Sequence, residues 1–335
     1  MRRRRILSLV ALAAAPCALP RRPGAGARTQ GGGSGEAWPT RPVTIVSAYP
    51  PGAPTDLVAR ALARRLAEAF GHPFVVENRP GGNGMLGTEG VARARPDGHI
   101  LQVGHNATHG LIPLLARNPP YDPLRDFTTI ALVASAPTAL SVHPSVPARD
   151  LAGLLDWARA NPDRLQVATS GNATHHHLGA EMLAQRSGLP LVHVPFRGGA
   201  EALTAVLGGH VPMVIGTLST VLAPAREGRV RIIALVDAER TEAAPGLPTV
   251  AVTLPGFAVP SLVLGLLGPA GVEPALVARL NAAANEAVGT PEFRAVLAGG
   301  GMQPRTGPPE AFRRQLEEDL AAFRRITAAA GLRPE

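Results

Sequence analysis

A chain of 335 residues exceeds the length over which one hydrophobic core usually keeps growing, so two domains of roughly 100 to 200 residues each are the default. Hydrophobic residues make up 45% of it, enough for packed cores. The formal charge of +8 points towards nucleic acid, but seven arginines precede residue 29 with no acid among them. Subtracting those seven leaves +1, and 4% aromatic residues offer few stacking surfaces, so a nucleic-acid partner is excluded. All basic residues apart from histidine are arginine; there is no lysine.

Residues 1–5 form a positive n-region and residues 6–15 an apolar run, too short to span a bilayer comfortably but of signal-peptide length. Export is therefore expected, with residues 1–27 as the signal peptide. Ala25-Gly26-Ala27 has the small-x-small form of a cleavage site, while the alanines nearer Ala15 and the Arg21-Arg22 pair leave the position open. Cys17 stands where a lipoprotein acceptor would, but Pro16 before it fits such a site poorly. It is the only cysteine, so the chain beyond it excludes disulfides, thiolate catalysis and Cys-based zinc. Residues 28–37, rich in glycine, read as a flexible tether.

From Pro42 strands and helices alternate, the signature of an α/β protein. Strand "VTIVSA" is followed by a loop, Pro50-Pro51-Gly52-Ala53-Pro54, and by a helix over 55–70 whose N-cap is expected at Thr55 or Asp56. "PFVVEN" is a strand, 87–95 a helix and "HILQVG" a third strand, together a parallel half-sheet. "TTIALVASAPTALSVHP" is one long extended segment. A second alternating set follows: helix 151–160, strand "LQVATS", helix 173–187, strand "LVHVPF", helix 199–207, and strands "PMVIG" and "VRIIALV". A second extended run, 257–267, precedes two last helices over 274–288 and 308–330. Two α/β units joined by two extended crossings predict a bilobal clamp with a hinged cleft. Lobe 1 comprises 38–138 and 262–335, and lobe 2 comprises 139–261.

The second lobe repeats the opening motif, since "LQVATSGNATHHHLGAEML" runs strand, polar loop, helix. In open α/β sheets ligands sit beyond the carboxyl ends of strands, and helix N-termini there favour anions. Two such loops facing one cleft predict capture of an anion. Thr55 is either a helix cap or a ligand donor. Ser170 and Thr174 are short hydroxyl donors at the second helix start, Gly52 and Gly171 allow backbone approach, and Asn106 after "ILQVG" is expected to line the cleft. Asp56 would repel a bound carboxylate and is given the structural role of ordering the first turn. His175-His176-His177 suggests a metal, but consecutive helix residues point about 100° apart and no zinc motif uses that spacing. His177 is placed at the pocket edge.

Gly82, Gly84 and Gly87 match G-x-G-x-x-G and keep an NAD-dependent α/β enzyme as the alternative. The match follows the second strand instead of the first, and Gly104-His105 stands where an acidic ribose ligand belongs. There is no G-x-S-x-G elbow, Walker lysine or H-E-x-x-H.

The ordered motifs "PPGAPTD", "VVENRPGGNG", "ARARPDGH", "PYDPLRDF", "SGNATHHHL", "VHVPFRGGAEALTAVLGG" and "GPAG" resemble the periplasmic solute-binding receptors of tripartite tricarboxylate transporters, the Bug type, over residues 38–333. The resemblance implies a type II periplasmic-binding fold, two α/β lobes around a hinged ligand cleft. It also implies no catalysis, no cofactor, a small carboxylate ligand, membrane permease subunits as partners, and a monomer in the periplasm. The implied ligand-binding set is Tyr49, Gly52, Ala53 and Thr55 from the first loop, Asn106 after "ILQVG", Ser170, Gly171, Asn172 and Thr174 from the second loop, with Gly198 and Thr217. Tyr49 replaces the family's usual Phe, and Ala53 and Pro54 a Gly and a Ser or Thr. Gly216 and Thr217 stand where relatives often carry an acid and Asn, and Leu262, Val263 and Leu264 replace a usual aromatic pair. Mature protein recovered from the periplasm is expected to lack at least residues 1–15, which intact-mass spectrometry checks. Full-length chain soluble in the host cytoplasm contradicts export.

Overall fold

The computed structural model describes residues 38–334 except residue 239. The expected signal peptide and tether lie outside the described residues. The polypeptide threads through β1 (Val43–Ser47), α1 (Pro54–Phe70), β2 (Phe74–Asn78), α2 (Met85–Ala92) and β3 (Ile100–His105), then a wide helical turn, Ala107–Leu111, that runs into the short α3 (Ile112–Leu114). There follow β4 (Phe127–Ala136), β5 (Thr138–Val142), α4 (Leu151–Ala160), β6 (Gln166–Thr169), α5 (His175–Ser187), β7 (Val192–Pro195), α6 (Gly199–Leu207), β8 (Met213–Thr217), α7 (Leu218–Arg226) and β9 (Arg231–Leu235). The chain then runs through β10 (Leu262–Pro269), α8 (Pro274–Gly289), α9 (Pro291–Gly299), β11 (Gln303–Pro304) and α10 (Pro309–Ala329).

Two sheets result. The first has the order β11-β4-β10-β3-β1-β2, with β3, β1 and β2 parallel and β10 antiparallel to both neighbours. The second has the order β7-β6-β8-β5-β9, with β5 antiparallel to both neighbours. Each lobe is thus a mixed sheet whose parallel strands carry their loops at one end, the place where ligand sites form in such sheets. Apolar runs rich in Val, Ile and Leu make β1, β4, β5 and β10 almost wholly buried, as strands covered on both faces must be. Among the described residues no helix is long and apolar enough to cross a membrane.

Several local readings of the sequence need correction. Helix α1 begins at Pro54, with Ala53 as N-cap and no side-chain cap, because proline's fixed φ suits the first helical position and displaces Thr55 and Asp56 into the first turn. Helix α5 begins at His175 because Thr174 caps it. The long extended segment is two strands in different sheets, broken at Pro137. Helices α7 and α9 were not foreseen. Pro224 lies inside the former, and the latter is a nine-residue piece between Thr290, its cap, and a glycine-rich exit.

The crossings between lobes are tied by buried polar groups. At the first, Thr138 N donates to Asp237 Oδ2 at 2.6 Å. At the second, the Asn106 amide donates to Ser261 O (2.8 Å) and Asp319 Oδ2 (2.7 Å), and its oxygen accepts from Val263 N (3.2 Å). Burial pushes the Asp237 carboxyl up to about 7 against the Thr138 and Ser261 hydrogen bonds, and Asp319 up to about 6 against those from Asn106 and Gln315. The final helix α10 buries Phe312, Leu316, Leu320 and Phe323 at helical spacing, and its end receives Gln185 of α5 at Ala329 O, 2.7 Å. It therefore packs on the first lobe and touches the second.

At Gly265 of β10 the Phe312 ring of α10 lies against the strand: a Cβ there would lie 2.2 Å from that ring and 2.5 Å from Ala131 O. Gly265→Ala is expected to cost about 3 kcal/mol, the upper end for overpacking against a backbone atom. Gly289→Ala, where nothing lies within 4 Å, should change stability by less than about 0.5 kcal/mol. Urea midpoints at unchanged slope check both.

Candidate functional site

The loop after β1 is folded around one carboxylate. Asp56, 2% exposed, accepts from Gly52 N (2.9 Å) and Arg60 Nε (3.0 Å) on one oxygen and from Asn78 Nδ2 (2.9 Å) on the other. Asn78 also holds Tyr49 O at 3.0 Å. Gly52, at φ 83, supplies the left-handed turn that points its N–H inward. Burial raises the Asp56 pKa, but the hydrogen bonds from Arg60, Gly52 and Asn78 outweigh it and hold the carboxyl below its ordinary value. Thr55 is 2% exposed and its hydroxyl pairs with Ser47 Oγ at 3.0 Å. Thus the Gly52 amide and the Thr55 hydroxyl are both engaged inside the loop. Ala53 donates its N–H to Pro50 O at 3.3 Å.

The loop after β6 is built on Thr174. Its hydroxyl donates to Gly171 O (2.8 Å) and accepts from His177 N (3.2 Å), so the cap also closes the loop. Ala173 sits at φ 55 and gives its N–H to His177 Nδ1 at 3.1 Å. His177 is stacked on His193, ring centroids 4.0 Å apart, and its Nε2 lies 3.3 Å from Glu181. It is therefore the anchor of the loop. Ser170 Oγ bonds His176 Nδ1 at 2.7 Å.

The two loops meet. Tyr49 Oη donates to Asn83 O (2.8 Å), and Asn83 Nδ2 donates to Asn172 O (2.7 Å), a chain of hydrogen bonds from lobe 1 to lobe 2. Gly171, at φ 122, leaves room for it: a Cβ there would lie 3.4 Å from Asn83 Oδ1 and 3.1 Å from Phe196 O. Asn83 and Ala173 are the two non-glycine residues with positive φ among the described residues, and they stand on opposite lips.

Tyr49, Gly52, Ala53, Thr55, Ser170, Gly171, Asn172 and Thr174 are thus brought to one place. Asn106 is not: it is fully buried, its amide donates to Ser261 O and Asp319 Oδ2, its oxygen accepts from Val263 N, and no part of it is left to face the cleft. Gly198 caps α6 in an extended conformation with nothing near its Cα. Thr217 is 4% exposed and shares its hydroxyl with Ser219 (2.9 Å) and Thr220 (2.8 Å). Asn83 was missed because its setting, "GGNG", reads as part of a glycine fingerprint. In the structure those glycines serve packing: a Cβ on Gly84 would meet Thr108 at 2.9 Å and Tyr49 at 3.1 Å, and one on Gly87 the Arg79 carbonyl at 2.6 Å.

Four further histidines are buried next to the two loops: His105 against Tyr49, His109 against Thr108, His176 on Ser170, and His175 beside it. His105, His109, His175 and His176 are 6%, 0%, 3% and 8% exposed. Burial drives the pKa of His105 and His175 down to about 3 and of His109 and His176 to about 4, so all four are neutral at physiological pH. Among the described residues no three His, Cys, Asp or Glu side chains group to hold a metal ion. A surface recess of about 620 Å³ lined by Tyr121, Asp122 and Arg324 lies away from both loops and has no such grouping of donors.

Comparison with known proteins decides the family. The model for the "Tripartite tricarboxylate transporter family receptor" matches residues 58–332. The chain belongs to this family. A protein of the tcbD-tcbE intergenic region of Pseudomonas sp. (strain P51) is 36% identical over 279 residues, 82% of either chain. BugT of Bordetella pertussis is 29% identical over 300 residues, 89% of this chain and 92% of BugT. The structure of R. palustris Rpa4515 with adipate superposes with TM-score 0.83 at 31% identity, covering 89% of this chain and 100% of that one. The periplasmic binding protein BugD gives 0.81 at 28%, covering 89% and 100%. MatC from Rhodopseudomonas palustris with bound malate gives 0.78 at 32%, covering 86% and 99%. The receptor is thus a periplasmic-binding-protein fold of the Bug type, and the NAD-enzyme alternative is not favoured.

In this receptor Asp56 orders the first loop. Asp56→Ala is expected to cost about 2 kcal/mol at neutral pH, since it removes a charged acceptor from the Gly52 amide and two side chains. Because the folded carboxyl titrates below its ordinary value of 3.8, that stability is full above this value and is lost as pH falls through and below it. The gap between variant and wild type in urea melts should therefore close on acidification.

Proposed function

We propose that this chain is an extracytoplasmic receptor that captures a small carboxylate between the loops after β1 and β6 and delivers it, as a monomer, to the permease subunits of a tripartite tricarboxylate-type transporter. The observation that carries the reading is the convergence of two helix starts, α1 and α5, on one cleft bridged by Tyr49, Asn83 and Asn172. First-turn N–H groups of a helix lack intrahelical partners and carry partial positive charge, so two of them define an anion site without a fixed cation. Family membership and the adipate and malate held by Rpa4515 and MatC support a carboxylate as that anion. The receptor role needs no catalytic residue and no cofactor.

Gly216 and Thr217, at the end of β8, refine the ligand class. No acid stands there to pair an ammonium group, and an ammonium buried without a partner is costly. The preferred ligand is a carboxylic acid without a free amine, a di- or tricarboxylate or an aromatic acid.

Thermal melts with adipate, malate, succinate, citrate, benzoate, nicotinate, Glu, Asp and NAD test this. A ligand at one hundred times its dissociation constant stabilises the fold by about 2.7 kcal/mol, a rise of at least a few degrees. An amine-free acid should raise the melting temperature most. If Glu or Asp does so, the argument from Gly216 is wrong; if NAD alone does so, the receptor reading fails.

A further inference from the structure

Helix α5 opens with His175 and His176, and their rings are short of hydrogen-bond partners. His176 Nδ1 is bonded to Ser170 Oγ at 2.7 Å, while Nε2 is buried with no hydrogen-bond partner. His175 is 3% exposed, has neither ring nitrogen bonded and packs towards Phe323 of α10. Across the cleft, His105 at the end of β3 accepts Thr108 N on Nδ1 at 3.2 Å, which leaves its proton on Nε2, and the Tyr49 ring lies 5.0 Å away. Buried polar atoms are almost always hydrogen-bonded, so the orphaned Nε2 of His176, within electrostatic reach of His105 from the other lobe, marks a place where something else completes the bonding.

The electrostatics say what that is. The titratable neighbours of His176 are His175 on its own helix and His105 on β3, with His109 behind His105 and Tyr49 against it; Asp319 of α10 is held on Asn106, next to His105. After the larger effect of burial, His105 is depressed further by His109 and His176, and His175 by His176 and His105, all charges of one sign. A cluster of neutral imidazoles kept from protonating by burial and mutual repulsion is relieved by an anion. In the tautomer in which Ser170 O–H donates to Nδ1, His176 carries its proton on Nε2 and presents a donor.

We propose that His105 and His176 form the carboxylate-recognising floor of the cleft, with His175 packed behind them against Phe323, His176 Nε2–H as the donor that meets a ligand oxygen, Ser170 as the residue that positions that ring, and uptake of one proton from solvent accompanying capture. This rests on the receptor reading above. A carboxylate against His176 raises the affinity of the imidazole for a proton, so the empty site is neutral and the filled one is charged at the same pH. The resulting hydrogen bond is charge-assisted.

Isothermal calorimetry of the full mature chain with adipate, malate and succinate, at about pH 6 in buffers of different ionisation enthalpy, tests this. The observed enthalpy is expected to vary with buffer in the sense of proton uptake, and affinity to weaken as pH rises. His176→Phe should weaken binding by tenfold or more and remove the buffer dependence. His176→Gln should recover part of the affinity through its neutral donor, with no proton uptake. Buffer-independent enthalpy in the wild type, or wild-type affinity in His176→Phe, overturns this inference alone. Wild-type protein that binds none of these three acids, and none of citrate, benzoate and nicotinate in the same calorimeter, overturns the receptor reading and the inference with it. The wild-type buffer series decides the question even if a variant fails to fold.

Discussion

The buried carboxylate of Asp56 draws Gly52 N, Arg60 and Asn78 onto itself, and the first loop of the cleft takes its shape from those bonds. The arrangement has a consequence for any anion. A fixed negative charge in the first turn of α1 offsets the partial positive charge of that helix start, and Arg60, half exposed, returns only part of it. Loop 1 thus offers shape, backbone and a weakened helix-start charge, and more of the attraction falls to the second helix start. The second helix start has no acidic residue in its first turn and carries histidines there instead.

The same economy governs the hinge. The two crossings, at Pro137 and near Ser261, are narrow and are held by amide-to-carboxylate and amide-to-backbone bonds from Asn106, Asp319 and Asp237. Buried carboxylates with raised pKa are tolerated because each is hydrogen-bonded, and each bond joins elements that belong to different stretches of chain. Hinges of this type absorb rigid-body closure with little change inside either lobe. The Asn83 to Asn172 bond then joins the lips far from the crossings in sequence, so the cleft is spanned at its mouth as well as at its base.

What could be read from the sequence followed from local physics. Runs such as "VTIV" and "LQVAT" and apolar spacing in 54–70 and 309–329 specify strands and helices without reference to partners. Loops between them were legible because proline, glycine and short polar residues stop both. Side-chain roles were not, because their partners are distant. Asn106 at a strand end fits a cleft as well as a hinge, and only Ser261 and Asp319, 155 and 213 residues away, choose between them. Thr55 fits a cap, but Pro54 takes the first helical position and sends its hydroxyl to Ser47. Ser170 and Thr174 were located in the right loop, while their engagement with His176 and Gly171 depends on turn geometry that a sequence does not display.

The triplet at 175–177 shows how a repeated residue type is divided by helix geometry. Successive side chains on a helix diverge by about 100°, so three adjacent imidazoles face three environments. His175 turns to Phe323 of the last helix, and His177 turns back to accept the Ala173 amide and hold that residue at φ 55. Such a backbone costs an alanine about 1 kcal/mol or more, and the stack on His193 with the contact to Glu181 is what keeps it there. His176, between them, reaches Ser170 with one nitrogen and leaves the other unpaired in the cleft. Loop strain on one side and core packing on the other thus fix the middle ring, and a ring fixed before the ligand arrives loses less freedom on binding than one that must be ordered by it.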